Sequence, residues 1–169
     1  MGQAPAIRIT ERGNGVILTY NTKPQGVKKT VATHQGKRRV GDRGAAGHRP
    51  HGDFPEFAEQ VRRELRDRWQ RDSFDYLVNN AGMAKQDVFP DVTQDLFEAS
   101  FRVIMRGPYF LTQTFLPLIA DNGAIVNTTS NSALPTGLTA GYSVYASVKG
   151  GLITRTRYLA KELAPCRSR

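Results

Sequence analysis

The sequence predicts an α/β domain built on a doubly wound parallel sheet. Two observations carry this. Strand-like apolar runs alternate with helix-length amphipathic segments along the 169 residues, and no repeat accounts for the alternation. The length suits one domain, 1–169, with a core of its own.

The elements follow in order. Ala6 to Arg12 reads as a helix tail ending at Gly13, or as a strand returning across the Asn14-Gly15 turn. Val16-Ile17-Leu18-Thr19-Tyr20 reads as a buried strand. Pro24 to about Gln35 suits a short helix with proline in its first turn. Residues 34–52 break the pattern. Val40, Ala45 and Ala46 are their only aliphatic side chains, so a disordered basic loop is expected, with no buried strand.

Phe54 to Arg71 is a helix on the four-residue recurrence of Phe57, Val61, Leu65 and Trp69. Glu59–Arg63 and Glu64–Arg68 should support it as i,i+4 pairs. Asp75 to Asn79 is the next strand. Thr93 to Ile119 is a long helical region, bent near Gly107-Pro108, with Phe97, Phe101, Ile104, Leu111 and Phe115 on its apolar side. Ala124 to Thr129 is a strand, and Ser143 to Leu163 a helix stopped near Pro165.

Composition narrows the function classes. Cys166 is the lone cysteine, so no intrachain disulfide forms and a reducing compartment is expected. No run approaches the roughly 18 apolar residues of a membrane span. The N-terminus has no apolar signal core. A soluble cytoplasmic protein is the expectation. The net charge is +9. Much of it sits in Lys23, Lys28, Lys29, Lys37, Arg38, Arg39, Arg43 and Arg49, which face Asp42 alone. No aromatic residues interleave this run and no nucleic-acid motif accompanies it, so nucleic acid is not the expected partner. His34, His48 and His51 share the same stretch but lack the fourth ligand a zinc site needs, so no metal is expected.

The chemistry concentrates in three segments. Tyr145-Ala146-Ser147-Val148-Lys149 places a phenol and an ammonium one turn apart on one helix face. The cation favours the phenolate. Ala124-Ile125-Val126-Asn127-Thr128-Thr129-Ser130 is a strand ending in a hydroxyl, and Asp75-Tyr76-Leu77-Val78-Asn79-Asn80-Ala81-Gly82 is a strand ending in a small-residue turn. Taken together, in this order and spacing, the three segments resemble the short-chain dehydrogenase/reductase family. The resemblance is closest over about 54–165 and looser over 6–33.

The resemblance implies a Rossmann-like, NAD(P)-binding domain that interconverts a secondary alcohol and a ketone. Tyr145 would be the general acid/base. Lys149 would hold the nicotinamide ribose. A serine would orient the substrate oxygen: strand register picks Ser130, while the usual serine–tyrosine separation picks Ser132. Asn80, Ala81 and Gly82 would lie against the adenosine ribose. Asn21 and Lys23, after the second-strand position and with no acidic residue there, lean towards NADP over NAD. The family also places a helix before that strand, which favours the helix tail at 6–12. Its long helix and its Tyr-Lys helix, here 93–119 and 143–163, imply self-association.

Three departures qualify these expectations. The family's glycine-rich phosphate loop has no counterpart, because Gly13-Asn14-Gly15 precedes a strand instead of following one. Ile104 stands where the family has a catalytic asparagine. The strands expected after Pro165 are missing. The sheet is therefore expected to be incomplete, truncated at both ends of the chain, and cofactor binding to be impaired. A catalytically inactive remnant acting as a binding or interaction module is the alternative to an enzyme of small alcohol or carbonyl substrates.

Overall fold

The computed structural model describes residues 3–19, 25, 45–48 and 54–164. These residues are α/β and fall into two compact units, one up to Phe74 and one from Asp75 onward.

In the first unit, α1 (Gln3–Glu11) precedes β1 (Val16–Thr19), so the helix-tail reading of 6–12 holds. Gly13 closes α1 at φ 79°, a left-handed conformation glycine adopts without steric cost, and its N–H donates to Thr10 O at 2.9 Å. Gly15 serves packing: a Cβ there would lie 2.6 Å from the Trp69 indole. Of the helix expected over 24–35, only Gln25 lies within the described residues.

β2 (Ala45–His48) pairs parallel with β1, in register from Val16 opposite Ala45 to Thr19 opposite His48. This corrects the expectation that 34–52 contains no strand; the rest of that stretch lies outside the described residues. Ladder pairing uses only backbone N–H and C=O groups, so an Ala-Ala-Gly run can join a sheet without a large apolar side chain.

α2 (Phe54–Trp69) buries Phe57, Ala58, Val61 and Leu65, the expected stripe. It ends at Trp69, two residues short of Arg71, where Gln70 turns left-handed at φ 51°. Arg68 pairs with Glu64 as expected. Glu59 pairs with Arg62, three residues on, and not with Arg63.

In the second unit, β3 (Phe74–Asn79) pairs with β4 (Ile119–Asn127), and the Thr128 N–H extends the pairing to Asn79 O at 3.0 Å. β4 begins five residues earlier than the sequence suggested. Gly123 lets its backbone approach the neighbouring strand, since a Cβ there would lie 2.5 Å from Asp75 O.

The long helical region has three parts. α3 (Gln94–Phe101) is capped by Thr93, whose side chain accepts from the Leu96 N–H. A π-helical turn spans Arg102–Arg106, and α4 runs Gly107–Phe115. The π-turn stands immediately before Gly107-Pro108, where the sequence led to the expectation of a bend. Pro108 has no N–H to donate, and the Gly107 N–H reaches back to Arg102 O. The region stops at Phe115 and not at Ile119, because Pro117 removes the next donor and a short 3₁₀ turn, Leu116–Leu118, follows. Its buried side matches the expected one at Ile104 and Phe115 but not at Phe97 and Phe101. Leu96, Ser100, Ile104, Pro108, Thr112 and Phe115 turn inward, while Phe97 and Phe101 stack together in solvent.

α5 (Ser143–Leu163) has the expected bounds. Val148 and Leu152 pack with Ile104 into a small core bordered by Val103, Met105 and Tyr145. Gly151 admits this approach, since a Cβ would meet Met105 Cε at 2.9 Å. Among the described residues no helix is long and apolar enough to cross a membrane.

Candidate active site

The ends of β3 and β4 and the first turns of α5 bring the Tyr-Lys pair together with the Asn-Asn-Ala-Gly turn. Lys149 lies on the buried stripe of α5, with Val144, Val148 and Leu152, and is only 3% exposed. Its ammonium donates to the Thr128 carbonyl. It also lies 5.7 Å from the centre of the Tyr145 ring. The Gly82 Cβ position is 3.9 Å from Nζ, so no side chain of that turn intervenes. No carboxylate pairs with Lys149 among the described residues, and burial pulls its pKa below the ordinary lysine value.

Tyr145 is half-buried, and its ring meets that of Tyr142 edge-on at 6.0 Å. Tyr142 sits at the N-cap of α5, and its carbonyl accepts from the Ala146 N–H at 2.8 Å.

Ser130 follows β4 in extended conformation. Its Oγ accepts from the Ser132 N–H at 3.2 Å and caps the short turn Asn131–Ala133. The two candidate serines are thus bonded neighbours in one turn. Asn80 is fixed by Thr128, whose Oγ1 donates to Asn80 Oδ1 at 3.2 Å. Ala81 and Gly82 are exposed. Asn21 and Lys23 lie outside the described residues, as do His34 and His51.

Sequence reasoning missed the polar framework behind these groups. Asn79 Nδ2 donates to Thr112 Oγ1 (3.1 Å) and to Asn127 Oδ1 (2.9 Å). Asn127 in turn donates to Thr156 Oγ1 at 3.0 Å. Arg155, 8% exposed, donates through Nη2 to Pro108 O and to Thr112 Oγ1, both at 2.9 Å. Its guanidinium stands 5.1 Å from the Tyr109 ring centre, and burial lowers its pKa. The signal for Arg155 was its spacing: it falls three residues after Leu152, on the stripe that carries Val144, Val148 and Lys149.

The ribose end of a nicotinamide dinucleotide fits these residues. A buried ammonium without a carboxylate partner has donors for hydroxyl oxygens, and the small-residue turn beside it leaves space. The pyrophosphate end does not fit the glycines at 13 and 15. Both precede β1, and the space at Gly15 is closed by Trp69.

Comparison with known proteins bears on the family and the fold. The family model described as Enoyl-(Acyl carrier protein) reductase matches residues 1–169. The short-chain dehydrogenase/reductase FrzI of Cladobotryum sp. is 32% identical, over 96% of this chain and 60% of that protein. The reductase LugOII, described as catalysing keto-reduction at C1 during lugdunomycin biosynthesis, superposes with a TM-score of 0.87 at 26% identity. The match covers 97% of this chain and 65% of that one. A short-chain dehydrogenase from Burkholderia cenocepacia in complex with NADP gives a TM-score of 0.77 at 27% identity, over 96% of this chain and 64% of the other. The chain spans about 60% of the length of the curated relatives it matches.

Proposed function

We propose, since the chain belongs to the short-chain dehydrogenase/reductase family, that it interconverts a secondary alcohol and a ketone with NAD(P). The observation that carries this reading is the buried Lys149 ammonium beside the Tyr145 ring. A buried charge without a counter-charge is costly, so it is retained where it serves a bound group. Tyr145 donates its phenolic proton to the carbonyl oxygen during reduction and takes it back during oxidation. The Lys149 cation stabilises the phenolate between those events. Ser130 holds the substrate oxygen. The bound dinucleotide supplies or accepts the hydride. Tyr145 and Lys149 hold its nicotinamide ribose, and Asn80, Ala81 and Gly82 form the turn against its adenosine ribose. Asn21 and Lys23 favour NADP at the second phosphate.

Ile104 favours a second reading, a module that binds without turning over. It fills the position of the family's catalytic asparagine with an apolar side chain only 1% exposed. Ketone-dependent NADPH oxidation, assayed at millimolar cofactor, separates the two readings. Turnover supports the enzyme; NADPH binding without turnover supports the module.

The cofactor should bind weakly to this 169-residue chain. A phosphate loop supplies several backbone N–H bonds to the pyrophosphate, and each bond to a charged group is worth roughly 1.5–3 kcal/mol. Two such bonds amount to about a hundredfold in affinity or more. NADPH fluorescence titration is expected to show no saturation in the micromolar range. Tight saturable binding would mean that other residues form a phosphate site.

Self-association is the expected partner mode. Phe97, Phe101, Tyr109, Phe110 and Tyr158 are exposed on α3, α4 and α5, and Val78 and Val126 on β3 and β4. The net charge of +9 opposes association, but salt screens it beyond roughly 8–10 Å. Light scattering should show oligomers growing as salt is raised. A sharp monomer at both low and high salt would refute this.

A further inference from the structure

We infer that Thr112 and Arg155 are positioning residues for Lys149: the bond they share holds the ends of β3 and β4 in the arrangement that seats the ammonium. Their part in turnover rests on the alcohol–ketone reading above; their hold on Lys149 does not. The Thr112 hydroxyl is the hub. A hydroxyl has one proton to donate and two lone pairs with which to accept, and all three are used here. Oγ1 donates to Pro108 O at 2.6 Å and accepts from Asn79 Nδ2 at 3.1 Å and from Arg155 Nη2 at 2.9 Å. Thr112 is 2% exposed, so bulk solvent does not stand in for a lost partner.

Arg155 depends on this hub. Among the described residues its Nε and Nη1 have no hydrogen-bond partner, so its hydrogen bonds run through Nη2 alone, to Thr112 Oγ1 and Pro108 O. They pin α5 to α4 within two turns of Lys149. From Thr112 the bonds lead to the Lys149 seat. Asn79, the last residue of β3, donates through Nδ2 to Thr112 and to Asn127 Oδ1 at the end of β4. Asn127 donates to Thr156 Oγ1, which ties the strand end to α5 as well. Thr128 comes next. Its N–H donates to Asn79 O at 3.0 Å, its Oγ1 donates to Asn80 Oδ1, and its carbonyl accepts from the Lys149 ammonium. Without the Thr112 hydroxyl, the Asn79 amide keeps Asn127 as acceptor and the buried guanidinium keeps Pro108 O. Both losses act on the strand ends that carry the Lys149 acceptor.

The test reads the ammonium itself. A buried, bonded ammonium exchanges its protons with water slowly, and exchange quickens as the bond opens. Exchange at Lys149 Nζ is followed by heteronuclear NMR in the full chain, with Lys149→Met to assign the signal. Thr112→Val keeps the shape of the side chain and removes the hydroxyl; exchange is expected to rise at least about tenfold. Thr112→Ser keeps the hydroxyl and should stay within about twofold of the parent. Arg155→Met removes one bond to the hub and should raise exchange about three- to tenfold. It decides the matter if Thr112→Val does not fold. Parent-like exchange in Thr112→Val or in Arg155→Met overturns the inference, as does equal acceleration in Thr112→Ser. An equal acceleration of the α3 backbone amides, Ser100 among them, marks a general loosening and overturns it too. The oxidoreductase reading fails separately. It falls if NADPH oxidation survives Tyr145→Phe, whatever the exchange rates, because the exchange measurement requires no turnover.

Discussion

Tyr145→Phe is expected to lower ketone-dependent NADPH oxidation by about 10²–10⁴-fold, the range that a positioned acid/base contributes. The fold should be indifferent to the change. Tyr145 is half-buried at the edge of the core formed by Ile104, Val148 and Leu152. Phenylalanine keeps the ring that meets Tyr142 at 6.0 Å. Melting temperature should therefore match the parent chain while turnover collapses. Tyr142→Phe supplies the internal control. Residue 146 is alanine, so Tyr142 has no lysine one turn on, and its replacement should leave turnover near the parental rate. Comparable loss in both variants, or activity persisting in Tyr145→Phe, would remove Tyr145 from the reaction.

The pair was legible in the sequence because helix periodicity fixes what lies one turn away, and α5 has the bounds its pattern suggested. Its surroundings were less legible. Lys149 is anchored by the Thr128 carbonyl, and a backbone acceptor leaves no mark on residue identity. The buried side of the long helical region was misread for a related reason. Counting apolar residues chose Phe97 and Phe101, yet Ser100 and Thr112 face inward. Thr112 is satisfied there by Pro108 O, Asn79 and Arg155, so burying it costs little. Polar side chains that find partners only in the tertiary structure look like surface residues in one dimension. β2 escaped notice because pairing through the backbone does not require apolar side chains. Ile104 shows the converse. Its departure from the family's asparagine was readable at once, and its burial against Val148 and Leu152 gives that departure a packing role.

Lys149→Met is expected to abolish turnover while making the fold at least as stable near neutral pH. Among the described residues the buried ammonium has no carboxylate partner, and burial lowers its pKa from the ordinary 10.5. The unfolded chain restores the ordinary value. Between the lowered value and 10.5 the unfolded state therefore binds more protons, so the stability of the parent chain rises with pH across that window. Below the window both states carry the proton and the full desolvation cost stands. Methionine has a similar reach and no charge, so it removes the cost at every pH. Against this gain stands the lost bond to Thr128 O, whose unpaired carbonyl costs about 1–3 kcal/mol if it stays dry. The pH dependence discriminates better than the absolute value. Thermal melts at stepped pH should show the parent chain gaining on Lys149→Met as pH approaches 10.5, whatever the offset at neutrality. Turnover should be absent in the variant throughout, because methionine can neither stabilise a phenolate nor donate to a ribose hydroxyl. A constant difference across the pH range would mean that the ammonium is already matched by a counter-charge or by water. The inference from an unpaired buried cation to a bound group would then lose its basis.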